Sequence, residues 1–131
     1  MIDKSCILIV RDSLGKLVET AQKCIEAGVD ENKIYATIDT ADVSRLLGSK
    51  AISVVIIDSE LYNLDTASIL KNYSQEQNIQ TLLFTDSKSK RTIRMIMDSN
   101  LKYLNTNISS GDLSSVFYSI LQPELKKVAH F

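Results

Sequence analysis

The sequence predicts an α/β domain built on a doubly wound, five-stranded parallel sheet, the (βα)5 pattern, and three observations lead there. Short apolar runs rich in β-branched residues alternate with runs of helical period along almost the whole chain. The stretches between successive apolar runs are too long for hairpins, so the strands run parallel with helices on both faces. A length of 131 residues suits one domain, and 44% hydrophobic against 24% charged residues is an ordinary globular composition.

Cys6–Val10 (CILIV) is a continuous apolar run that suits a strand covered on both faces. Leu14, Leu17, Val18, Ala21, Cys24 and Ile25 then recur at helical spacing, with Gly28 as the stop signal. Lys33–Ile38 is a second, weaker strand. Val43, Leu46 and Leu47 mark a short helix, with Thr40 as its N-cap and Gly48 as its end. Ile52–Ile57 is the strongest strand and delivers Asp58 at its carboxyl end. A helix around Thr66–Ser74 carries Ile69, Leu70 and Tyr73 on one face, and Ile79–Thr85 is the fourth strand. Ile93, Ile96 and Met97 give the next helix its stripe, and Leu101–Leu104 is the fifth strand. Leu113, Val116, Phe117, Ile120 and Leu121 repeat as an amphipathic helix that Pro123 ends or kinks. The domain is thus expected over residues 1–122, with 123–131 a tail or the start of a linker.

With 15 basic against 16 acidic residues the net charge is −1, which gives no electrostatic case for nucleic acid or an anionic membrane. No apolar run approaches the roughly 20 residues of a membrane span, and Lys4 precedes only a strand-like run, so a soluble, cytoplasmic domain is expected. Cys6 and Cys24 form neither a disulfide framework nor a zinc pattern. The basic loop containing Lys88, Lys90 and Arg91 lacks the interleaved aromatics of a nucleic-acid patch and is read as a solvated helix entrance.

In an open parallel sheet, chemistry gathers outside the carboxyl ends of the strands, which points to Arg11, Asp12, Asp58, Thr85 and residues 105–107. Gly15, Gly28, Gly48 and Gly111 are isolated and build no phosphate-cradling motif. His130 is the one histidine, there is no nucleophile elbow, and Cys6 and Cys24 fall on apolar faces where a thiol is inert. The carboxylates remain. With the first and third strands adjacent, Asp12 and Asp58 share a crevice; such a pair could hold Mg²⁺ and let Asp58 accept a phosphoryl group. Equally, aspartate at a strand end caps the following turn.

These residues carry a family resemblance. The stretch Val54–Leu70, VVIIDSELYNLDTASIL, is similar to the strand and phosphoacceptor loop of the CheY-like receiver domains of bacterial two-component response regulators. Asp58, Leu61 and Asp65 match that pattern, while Tyr62 stands where proline is usual and Thr66 where glycine is usual. LLFTDS resembles the fourth strand with Thr85 at the switch hydroxyl, and KYLNTN the fifth with Tyr103 at the switch aromatic. The resemblance spans roughly residues 4–122 and implies a flavodoxin-like fold. It also implies a metal site from Asp12, Asp58 and the backbone carbonyl of Glu60, and places Glu60 and Ser87 at positions that tune phosphoryl lifetime.

Two departures weigh against full activity. The acidic pair after the first strand is here Arg11-Asp12, and no lysine follows the fifth strand, where Thr106 and Asn107 stand. Losing that lysine removes a charge-assisted contact worth roughly 1.5–3 kcal/mol. Arg11 could supply to Asp12 and Asp58 the charge that Mg²⁺ would otherwise bring, since a guanidinium pairs well with carboxylate and stays protonated. Alternatively Arg11 points to solvent, and Lys88 or Lys90 reaches the phosphoryl site. The favoured reading is an atypical receiver, not an enzyme, with no cofactor or only weakly bound Mg²⁺. It would dock a protein partner, a histidine kinase or an output protein, through the fourth predicted helix, fifth strand and fifth helix. Arg94, Lys102, Tyr103 and Tyr118 are the candidate contacts, and a homodimer is compatible with it. The alternatives are a working receiver phosphorylated on Asp58 by a histidine kinase and, more distantly, a small flavodoxin-like enzyme.

Overall fold

The computed structural model describes residues 6–85 and 101–121. The helix expected around Ile93, the loop bearing Lys88 and Lys90, the candidate contact Arg94 and the tail 123–131 lie outside the described residues. Within them the order is β1 (Cys6–Val10), α1 (Leu14–Glu26), β2 (Ile34–Thr37), α2 (Ala41–Ser49), β3 (Ile52–Asp58), α3 (Leu64–Gln77), β4 (Gln80–Thr85), β5 (Leu101–Asn105) and α4 (Ser110–Leu121).

All five strands pair in parallel in the order β2-β1-β3-β4-β5. Chain order reverses beside β1, so the crevice of the sheet opens between the carboxyl ends of β1 and β3. Val10 lies opposite Ile57, which brings the residues after β1 level with Asp58. Alternation along the strands sorts the core into two layers. Ile7, Ile9, Val54, Ile56, Leu82 and Phe84 lie under α1 and α4, against Leu17, Cys24, Leu113 and Phe117. Leu8, Val10, Val55, Ile57 and Leu83 face α2 and α3, against Val43, Leu46, Leu47 and Leu70. Each such fully buried aliphatic side chain stabilises the fold by roughly 1.5–3 kcal/mol relative to exposure.

The helix ends show how local sequence sets the frame. Ser13 accepts a hydrogen bond from the Lys16 N–H and opens α1. At the other end Val29 N–H bonds the Cys24 carbonyl and Gly28 N–H the Ile25 carbonyl, both at 3.0 Å. That is a Schellman turn, and Gly28 takes the positive φ of 106° it requires. At α3 the capping is reciprocal: Asn63 Oδ1 accepts from the Thr66 N–H at 2.9 Å, and Thr66 Oγ1 accepts from the Asn63 N–H at 3.2 Å.

Several expectations need correcting. α3 begins at Leu64, ahead of Thr66, because Asn63 provides that cap. Thr40 has helical φ and ψ and no capping bond; instead Asp39 Oδ1 accepts from the Ala41 N–H at 2.9 Å. Gly48 does not end α2, which continues through Ser49. A Cβ at Gly48 would stand 3.1 Å from the Tyr73 hydroxyl, so the missing side chain makes room for α3. Leu14 and Val18 do not pack into the core but are 67% and 63% exposed; the buried stripe of α1 is Leu17, Thr20 and Cys24.

Candidate functional site

A cleft of about 220 Å³ opens at the carboxyl edge of the sheet, lined by Arg11, Asp12, Asp58, Thr85, Lys23 and Thr106 among others. Asp58 closes β3 and is 7% exposed. Arg11 follows β1, on the same sheet face as Ile7 and Ile9, and is also 7% exposed, so its guanidinium lies beneath α1. There Arg11 Nε comes within 2.7 Å of Asp58 Oδ1. The Nε–H is not aligned with that oxygen, so the contact is a close ion pair and not a linear hydrogen bond. Arg11 Nη1 donates to Thr20 Oγ1 at 2.8 Å, and the guanidinium carbon stands 5.4 Å from the centre of the Phe84 ring. Phe84 is the residue opposite Asp58 in the β3–β4 register.

The second oxygen of Asp58 is engaged too: Oδ2 accepts from the Asp12 N–H at 3.1 Å. The Asp12 carboxylate is solvent-exposed and pairs with Lys16, one helical turn on, at 3.0 Å from Oδ1 and 3.2 Å from Oδ2. That bond and the carboxylate's charge raise the Lys16 ammonium pKa above its ordinary 10.5. On the far side of the cleft, Lys23 Nζ donates to the Thr106 carbonyl at 3.2 Å, and Thr106 N–H donates to the Thr85 carbonyl at 3.2 Å.

A magnesium ion needs free carboxylate oxygens and a local negative charge to offset the loss of its waters. Here Asp12 and Asp58 are matched by Lys16 and Arg11, and both Asp58 oxygens already have partners. Among the described residues no group of three or more His, Cys, Asp or Glu is placed to hold a metal. As arranged, the residues do not fit the ion.

The other candidates separate. Thr85 and Glu60 line the cleft, Glu60 from a short 3-10 turn after β3, and Asn107 joins them from the loop after β5. Tyr103 is half-buried opposite Leu83, on the strand face that Thr85 shares, and does not line the cleft. Burial pushes the Cys24 thiol up to about 12, which leaves it unreactive near neutrality.

No protein-family model matches the chain, and no curated protein matches it in sequence. Solved structures do. A CheY-like response regulator receiver domain from Methanospirillum hungatei superposes with a TM-score of 0.73 at 16% identity, over 95% of this chain and 98% of that one. A response regulator receiver protein from Dyadobacter fermentans gives 0.73 at 13% identity, covering 89% and 98%. The fold is that of the CheY-like receivers. The same fold is shared by a Burkholderia pseudomallei protein described as related to pilus assembly, with a TM-score of 0.73 at 15% identity over 92% and 91% of the two chains. At these identities the likeness establishes fold, and the chemistry rests on this chain's own residues.

Of the polar side chains that pair in the site, Thr20, Lys16 and Lys23 were not singled out from the sequence. Thr20 had a signal, since it is the one polar residue in the buried stripe of α1. Lys16 had one as well, standing four residues from Asp12. Lys23 had none, because its partner is 83 residues away.

Proposed function

We propose that this chain is an atypical receiver domain of two-component-type signalling. It works in the cytoplasm mainly as a protein-docking module, with impaired Mg²⁺-dependent phosphorylation and no enzymatic turnover of its own. The observation that carries the reading is the 2.7 Å approach of Arg11 Nε to Asp58 Oδ1 in a buried setting. A cation covalently tied to the chain occupies the charge-compensating role beside the candidate acceptor. The absence of lysine at Thr106 supports the same reading. So does the use of Lys23 to hold the Thr106 backbone carbonyl.

Docking would use the surface of β5 and α4, where Lys102 and Tyr118 are exposed and Tyr103 is half-buried. The partner would be a histidine kinase or an output protein. The working-receiver reading keeps one observation in its favour, which is that Asp58, Asp12 and Thr85 line one cleft. The two are separated by incubating the protein with Mg²⁺ and a small phosphodonor and recording the intact mass. No phosphoryl increment is expected. A robust increment that Asp58→Asn abolishes would establish the working receiver instead.

A further inference from the structure

We infer that Thr20 is the positioning residue that keeps Arg11 beside Asp58. The inference rests on the reading above and names the group that maintains the ion pair. An ion pair is attractive over a range of orientations, and here the Nε–H is not aligned with the Asp58 oxygen. Coulomb attraction alone therefore does not fix the guanidinium. The directional contact is with Thr20, whose Oγ1 accepts from Arg11 Nη1 at 2.8 Å.

The hydroxyl is committed to that role. Thr20 Oγ1 donates its single proton to the Lys16 carbonyl at 2.9 Å, so only its lone pairs remain for Arg11, and a donor must sit opposite them. The residue is 3% exposed, so water does not compete for those lone pairs. The Phe84 ring, 5.4 Å from the guanidinium carbon, restricts the guanidinium on another side. Serine keeps this chemistry; valine keeps the shape and removes the acceptor. Without the acceptor a buried guanidinium N–H is left unpaired, which favours rotation of Arg11 out towards water. That movement frees Asp58 Oδ1 for a divalent cation.

The test is Mg²⁺ affinity, read by titration with the full chain in a double-mutant cycle. Four proteins are compared with wild type: Thr20→Val, Thr20→Ser, Arg11→Met and Thr20→Val/Arg11→Met. Loss of a hydrogen bond to a charged group shifts an equilibrium by about tenfold or more, and here the shift is expected as a gain in Mg²⁺ affinity, because the bond holds the competing cation in place. Thr20→Val should bind Mg²⁺ about tenfold more tightly than wild type. Thr20→Ser should behave as wild type, and Thr20→Val should add nothing once Arg11 is methionine. If Thr20 only packs the helix, Thr20→Val lowers stability alike in both backgrounds and leaves Mg²⁺ affinity where it was, and the inference fails. If Arg11→Met itself gains no affinity, the reading of Arg11 as the obstacle fails, whatever Thr20 does.

Discussion

Two ion pairs lie in the cleft, and they are physically unlike. Arg11 and Asp58 meet in the interior, each 7% exposed, with a hydroxyl and an aromatic ring around the guanidinium. Lys16 and Asp12 meet at the rim in open water, one helical turn apart. The buried pair is expensive to break, because either partner left alone is a charge without solvent. The rim pair is screened and exchangeable. The contrast teaches that net charge alone does not describe this crevice: its centre is locked and its edge is adjustable.

The comparison breaks most visibly at Arg11. Arg11→Met in magnesium-free buffer should lower unfolding free energy by about 3–5 kcal/mol, measured by denaturant titration, because Asp58 is left buried and unpaired. Added Mg²⁺ should recover part of that loss in the variant and none in wild type.

A smaller effect is expected where the acceptor loop enters α3. Thr66→Gly supplies the residue usual in receivers but removes the hydroxyl that caps Asn63, so a loss of about 1 kcal/mol should appear in the same titration. A gain would show that the capping box is incidental.

The smallest effect belongs to the rim. Lys16→Met should lower the denaturation midpoint at neutral pH only slightly, far less than Arg11→Met does, and high salt should remove the difference from wild type. The sign of its pH dependence follows from the raised ammonium pKa. The contribution of the pair is complete below the ordinary value of 10.5 and fades as pH rises through the raised folded value. A plot of stability against alkaline pH should therefore fall slightly more steeply for wild type than for Lys16→Met. A midpoint shift at neutral pH rivalling that of Arg11→Met would erase the distinction between the two pairs.

Much of this arrangement was legible before any coordinates. The continuous apolar run Cys6–Val10 announced a strand buried on both faces, Ile52–Ile57 announced the strongest strand, and the alternation with helices announced the parallel sheet. Gly28 as a helix stop was readable because only a positive φ completes that turn. Gly48 misled for a physical reason: a glycine late in a helix serves equally as a terminator or as clearance for a neighbour, and Tyr73 decides it. The apolar count on α1 misled likewise, since Leu14, Val18 and Leu17 share a periodicity and only the neighbouring layers determine which of them is covered. At the site, Asp12, Asp58 and Arg11 stood out through their places at strand ends. Lys23 acts across the fold on a group distant in sequence, where periodicity carries no information.

The central claim is that the Arg11 guanidinium takes the place of a divalent cation at Asp58. Its most direct test is a Mg²⁺ titration of the wild-type chain followed by the amide resonances of Asp12 and Asp58. The account predicts only small, linear, non-saturating shifts through the millimolar range. A saturable transition at low millimolar Mg²⁺, with both amides moving together, would contradict it.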